Sequence, residues 1–99
     1  KKIHLTAVFA NNFVNYLYSI ASDILKDNQL PFDLLKPLIL ETAMKIRENS
    51  PEKIQTGPAR RNDTQVIQSH LKLLNRHKEK KAIYALLSKS LIHKFNTKR

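Results

Sequence analysis

The sequence predicts an all-α domain. Apolar residues recur at helical spacing along nearly all of its 99 residues, and no stretch alternates with period two for more than a few positions. The breaks between the periodic runs carry Asn, Pro, Ser and the single glycine, residues that stop and start helices. One domain is the most a chain of this length holds.

About four main helices are expected, gathered around a long apolar first one. The first spans about Lys2 to Asp27, with Asn28 as a left-handed stop and Pro31 just beyond. Ile3, Leu5, Val8, Phe9, Phe13, Tyr16, Leu17, Ile20 and Ile24 spread around most of its circumference, and a helix apolar on nearly all sides has to be covered. Three partner helices of this size leave part of it bare, so a second copy or a further domain is expected to close over it. Helix two runs from about Pro31 to Glu48 with Leu34, Leu35, Leu38, Ile39, Ala43 and Ile46 inward. Pro37 falls in its first turn if Asp33 is the N-cap, and otherwise marks a kink. Ser50 and Pro51 read as the cap and first residue of a short turn. Asp63 caps helix three, Thr64 to about Arg76, with Val66, Ile67, Leu71 and Leu74 on one face. After the polar joint "RHKEKK", helix four runs from about Lys78 to Phe95 on Ile83, Leu86, Leu87, Leu91, Ile92 and Phe95.

Composition narrows the chemistry. With no cysteine there is no disulfide, thiolate metal site or cysteine nucleophile, and a reducing, cytoplasmic setting is the default expectation. The charged, then apolar start resembles a signal peptide, but Asn11, Asn12 and Asn15 interrupt the run and no small-residue cleavage site follows. With Ser19, Ser22 and Asp23 they also spoil a membrane span. The start inside a helical pattern, without an initiator methionine, leads us to expect a piece of a longer chain. Eighteen Lys and Arg face eight Asp and Glu, a formal charge of +10 concentrated in residues 50 to 99, which hold twelve basic groups against three acidic. The alternative reading is therefore a small basic module binding nucleic acid or another anionic partner. No recognition helix stands out among the basic residues, which makes nucleic acid the lesser expectation.

Two places could carry chemistry. On the first helix, counting about 100° per residue from His4, Asn11, Asn15 and Ser22 fall within about 20° of one line and Asn12 about 80° away. Such a stripe either pairs with neighbouring helix ends or forms one wall of a ligand cleft. In "TGPARRND", Gly57 can turn sharply, and Pro58 fixes its own φ while steering Gly57 from the helical region. Thr56 can cap the turn that follows. Arg60 and Arg61 point apart, and Asp63 can hold a guanidinium while capping helix three, so the corner suits a carboxylate or phosphate, or serves only as a connection. His70, His77 and His93 offer no i, i+4 pair with a nearby carboxylate, so no metal is expected. No nucleophile elbow, Walker loop or Gly-rich dinucleotide fingerprint is present, so the chain alone is not expected to bind NAD(P).

The stretches "HLTAVFANNFVNYLYSIASDIL" and "LLKPLILETAMKIRENSPEKIQTGPARRND" resemble the C-terminal helical half of a bacterial family of Rossmann-like oxidoreductases. That family, a domain of unknown function, stands beside pyrroline-5-carboxylate reductase and the 6-phosphogluconate dehydrogenase C-terminal-like proteins. The likeness runs from about residue 3 to residue 95. Its most specific element is T-G-P-x-x-R-[GN]-D, matched by Thr56, Gly57, Pro58, Arg61, Asn62 and Asp63. The resemblance implies a 6-phosphogluconate dehydrogenase C-terminal-like helical domain over residues 1–99, an N-terminal Rossmann domain upstream that binds NAD or NADP, a homodimer, and a small-molecule substrate in a cleft walled by this half. In related hydroxyacid dehydrogenases a lysine, with an asparagine about one turn later, acts on the substrate's oxygen. Here the family pattern H-x-x-A-V-F-x-x-N places His4 and Asn12, with histidine for lysine and about two turns between them. By that likeness His4 donates a proton, Asn12 orients the substrate, and Thr56, Gly57, Arg61 and Asp63 form the substrate-binding corner, in which Arg61, held by Asp63, takes the substrate's anionic group.

Overall fold

The computed structural model describes residues 1–96, and among them there is no strand. The chain divides into two compact units, Lys1–Arg47 and Glu48–Arg99.

The first unit opens with α1 (Lys2–Ala7), a π-turn (Val8–Phe13) and α2 (Val14–Asp27) in one uninterrupted right-handed run. Its junction residues Ala7, Val8, Phe13 and Val14 all keep helical dihedrals. The run ends at Asp27, as expected, but the left-handed residue that follows is not Asn28. Asn28 stays near φ −112°, and Gln29 takes the left-handed position at φ 55°. Leu30 N–H bonds back to Leu25 C=O at 2.9 Å and Gln29 N–H to Lys26 C=O at 3.0 Å, a Schellman closure that satisfies the orphan carbonyls. Asn28 contributes through its side chain instead, its amide donating to Ile24 C=O at 2.9 Å.

Pro31 then runs extended into a 3₁₀ turn, Phe32–Leu35, that lies against α2, and α3 (Lys36–Ile46) continues from it. Pro37 does sit in the first turn of α3, where a missing N–H costs little. Asp33 is not the N-cap; its carboxylate pairs with Lys36 at 2.7 Å. Val14, Tyr18, Ala21, Ser22 and Leu25 are half-buried on α2, and Phe32, Leu35 and Ile39 on the returning segment. Leu34, Leu38 and Ile46, expected inward, are 58%, 59% and 46% exposed, because a two-helix hairpin gives each helix a single line of contact. The first helix is likewise not wrapped: Phe9, Phe13 and Tyr16 are 63%, 49% and 48% exposed.

The second unit contains α4 (Pro51–Ile54), α5 (Thr64–Leu73) and α6 (Lys78–Asn96), with α5 packed on α6. Its core is small, with Ala59 and Ile67 the two buried apolar residues among those described. Ser50 occupies the N-cap of α4 with Pro51 first in the helix, as expected, although no side-chain bond is made there. Val66, Leu71 and Leu74 flank Ile67 half-buried, whereas Leu86 and Leu87 of α6 stay exposed. A polar clasp joins the helices above this core. His70 Nδ1 and the Tyr84 hydroxyl lie 2.7 Å apart, the rings edge-on at 5.6 Å. Burial pushes the Tyr84 phenol up from its ordinary value, opposed by a hydrogen bond from Ser88.

Candidate functional site

The corner expected at "TGPARRND" is a single helical turn closed at both ends by unusual backbone. Gly57 has φ 101°, a region closed to most L-residues, and an added Cβ would meet nothing within 4 Å, so backbone conformation rather than crowding selects glycine. After it, Arg61 N–H reaches Gly57 C=O at 3.3 Å. The turn then stops on Asn62, left-handed at φ 56°, with Asn62 N–H on Ala59 C=O at 3.1 Å and Asp63 N–H on Pro58 C=O at 2.8 Å. This is a second Schellman closure. Asp63, its last residue, is also the N-cap of α5, its carboxylate accepting from Val66 N–H at 3.2 Å.

The ion pair in the corner is looser than the cap. Arg61 Nη2 stands 3.7 Å from Asp63 Oδ2, with the arginine side chain 60% exposed, so solvent screens the pair and leaves the guanidinium open to another anion. The exposed Thr56 contributes its carbonyl, which accepts from the Gln55 amide at 3.2 Å. Arg60, given no role by the sequence, turns the other way and lies over the Phe95 ring at 4.7 Å. Asn96 donates to Ala59 C=O at 3.4 Å, and Lys94 pairs with Glu52 at 3.3 Å. The end of α6 is thereby fastened to the corner. Partners some 35 residues apart leave no local signal, so sequence alone could not find them. A hollow between α4 and α6 is lined by Pro51, Glu52, Gln55, Leu91, Lys94 and Phe95; neither Arg61 nor Asp63 lines it.

Replacing Asp63 separates its two duties. Asp63→Ala is expected to destabilise the chain by about 1 kcal/mol through the lost cap, while Asp63→Asn, which can still accept from Val66 N–H, should lose no more than a few tenths through the pair. Denaturant midpoints of the two variants measure this. Equal losses would make the pair, not the cap, the stabilising element.

In the first unit His4 and Asn12 are both exposed on one helix. The stripe counted at α-helical spacing does not survive the π-turn. An i→i+5 turn accommodates one residue more than an α turn, so everything beyond it lags by about 100°. Asn15 and Ser22 thus stay aligned with each other but lie about a quarter turn from His4. With Tyr18, Ser19 and Phe32 they line an open groove. Asn11, Asn12 and Asn15 face solvent, so the cost of burying an amide without a partner does not arise. Phe9 and Phe13 meet edge-to-face across the π-turn, centroids 5.2 Å apart.

Residues 1–91 match the family model described as a domain of unknown function, DUF2520. The chain belongs to that family. A crystal structure described as that of "putative NADP oxidoreductase BF3122 from Bacteroides fragilis" matches this DUF2520 chain with a TM-score of 0.92 and 46% sequence identity, over 94% of this chain and 36% of that one. The chain therefore spans a little over a third of that protein's length. No curated protein matches it. Among the described residues no helix of this DUF2520 chain is long and apolar enough to cross a membrane, and no three His, Asp or Glu side chains gather as a metal site would require.

Among the described residues there is no strand, and the one glycine sits in a helix-to-helix corner rather than between a strand and a helix.

Proposed function

We propose that this DUF2520 chain is the helical, substrate-side and dimerising domain of an NADP-dependent oxidoreductase whose nucleotide is held by a Rossmann domain elsewhere in a longer protein. The match to BF3122, at 46% identity across nearly the whole chain, is the observation that carries the reading. In it His4 holds a proton at the oxygen or nitrogen of a small carbonyl or imine substrate, a task suited to an imidazole near neutral pH. Asn12 orients that substrate. In the second unit, Arg61, whose guanidinium is only loosely engaged by Asp63, is suited to take a carboxylate or phosphate.

Dimerisation is proposed on the exposed side of the first helix. Phe13, Tyr16, Leu17, Ile20 and Ile24 recur at three- and four-residue intervals, and four of the five are at least 38% exposed. That is the spacing of a helix-packing seam.

Titrating the longer protein with NADPH, followed by nicotinamide fluorescence, is the direct test. Saturable binding by the longer protein and none by residues 1–99 is the expected result; no binding by either removes the oxidoreductase reading. Sedimentation of residues 1–99 at micromolar concentration should give a dimer, and a monomer counts against the seam. Salt-sensitive retention on DNA in place of NADPH binding would favour the basic-module alternative.

A further inference from the structure

The π-turn is the least expected element of the first unit. Such turns are rare and concentrate at functional sites. Nothing packed within this unit demands one here: of residues 1–13 only Val8 is even half-buried. Its effect is a change of phase. In an unbroken α-helix Asn12 lies about 80° from His4; the extra residue brings it back to within about 30° of His4's line and turns Asn11 away by a similar amount.

We propose that the π-turn Val8–Phe13 is a positioning element that puts His4 and Asn12, about 12 Å apart along the axis, on one face so that both address the same ligand. Asn11, Asn15 and Ser22 then belong to a different face and take no part. The proposal rests on the reading of His4 and Asn12 as substrate-facing residues.

A rigid bis-thiol cross-linker about two helical turns long reads the phase directly, and the absence of native cysteine keeps the reaction specific to introduced thiols. Residues 1–99 carrying His4→Cys/Asn12→Cys should form the intramolecular staple at least tenfold faster than His4→Cys/Asn11→Cys. In a regular α-helix the order is reversed, and that reversal, or equal rates, overturns the proposal. Deleting Ala10 converts the π-turn to an α turn at the same phase, so the His4→Cys/Asn12→Cys pair should still staple; inserting an alanine after Ala10 should abolish it. Because these residues are exposed, neither length variant should shift Tm appreciably. In the longer protein the insertion should lower turnover as much as His4→Ala, and the deletion should keep it within about threefold. Turnover unaffected by the insertion overturns the positioning role. An inert His4→Ala would instead sink the site reading while the staple rates still report the geometry.

Discussion

Replacing His4 by alanine in the longer protein should lower turnover by about 10²–10⁴-fold, the usual range for a positioned proton donor, with NADPH affinity essentially unchanged. The asymmetry is the diagnostic part. His4 is exposed and lies in a segment with no buried residue, so its removal is not expected to unfold the chain. A drop in stability therefore cannot stand in for a drop in chemistry. His4→Gln, which can form a hydrogen bond but cannot carry a proton at neutral pH, should be nearly as slow as His4→Ala. Turnover kept within about threefold in both variants would take His4 out of the mechanism and leave the asparagine without its partner.

Gly57→Val should cost about 1–3 kcal/mol, the penalty for forcing a non-glycine residue into a sparsely allowed backbone region. For a chain of this size each kcal/mol lowers Tm by roughly 4–8 °C. Because a Cβ at residue 57 would touch nothing, the penalty comes from φ 101° and from branching at Cβ, not from a clash. Gly57→Ala isolates the first part and should cost less than valine. Thermal unfolding followed by circular dichroism measures both, and a valine variant as stable as the parent would show that residue 57 does not need its positive φ.

The features legible in the sequence are those encoded by residues adjacent to where they act. Gly57, Pro58 and Asp63 announce a turn followed by a capped helix, and the structure contains both. The apolar period of residues 64–74 marks the face around Ile67, and α6 has nearly the bounds its pattern gives. The end of the first helix at Asp27 was legible too, but its left-handed stop is Gln29 rather than Asn28, whose side-chain amide bonds back to Ile24 C=O instead. The π-turn leaves no compositional mark, since neither Gly nor Pro is needed to change a hydrogen-bond step from four residues to five. That one invisible change rearranged the candidate stripe on the first helix. Arg60 on Phe95 was invisible for another reason: only folding brings the two together.

Asp63 ends one helical turn and begins the next helix with the same few atoms: its N–H closes the turn onto Pro58 while its carboxylate opens α5 at Val66. Such a joint contains no spare residue in which a change of direction could be absorbed. The corner is consequently a fixed elbow, its angle set by backbone bonds on both sides of Asp63 rather than by the loosely held guanidinium beside it.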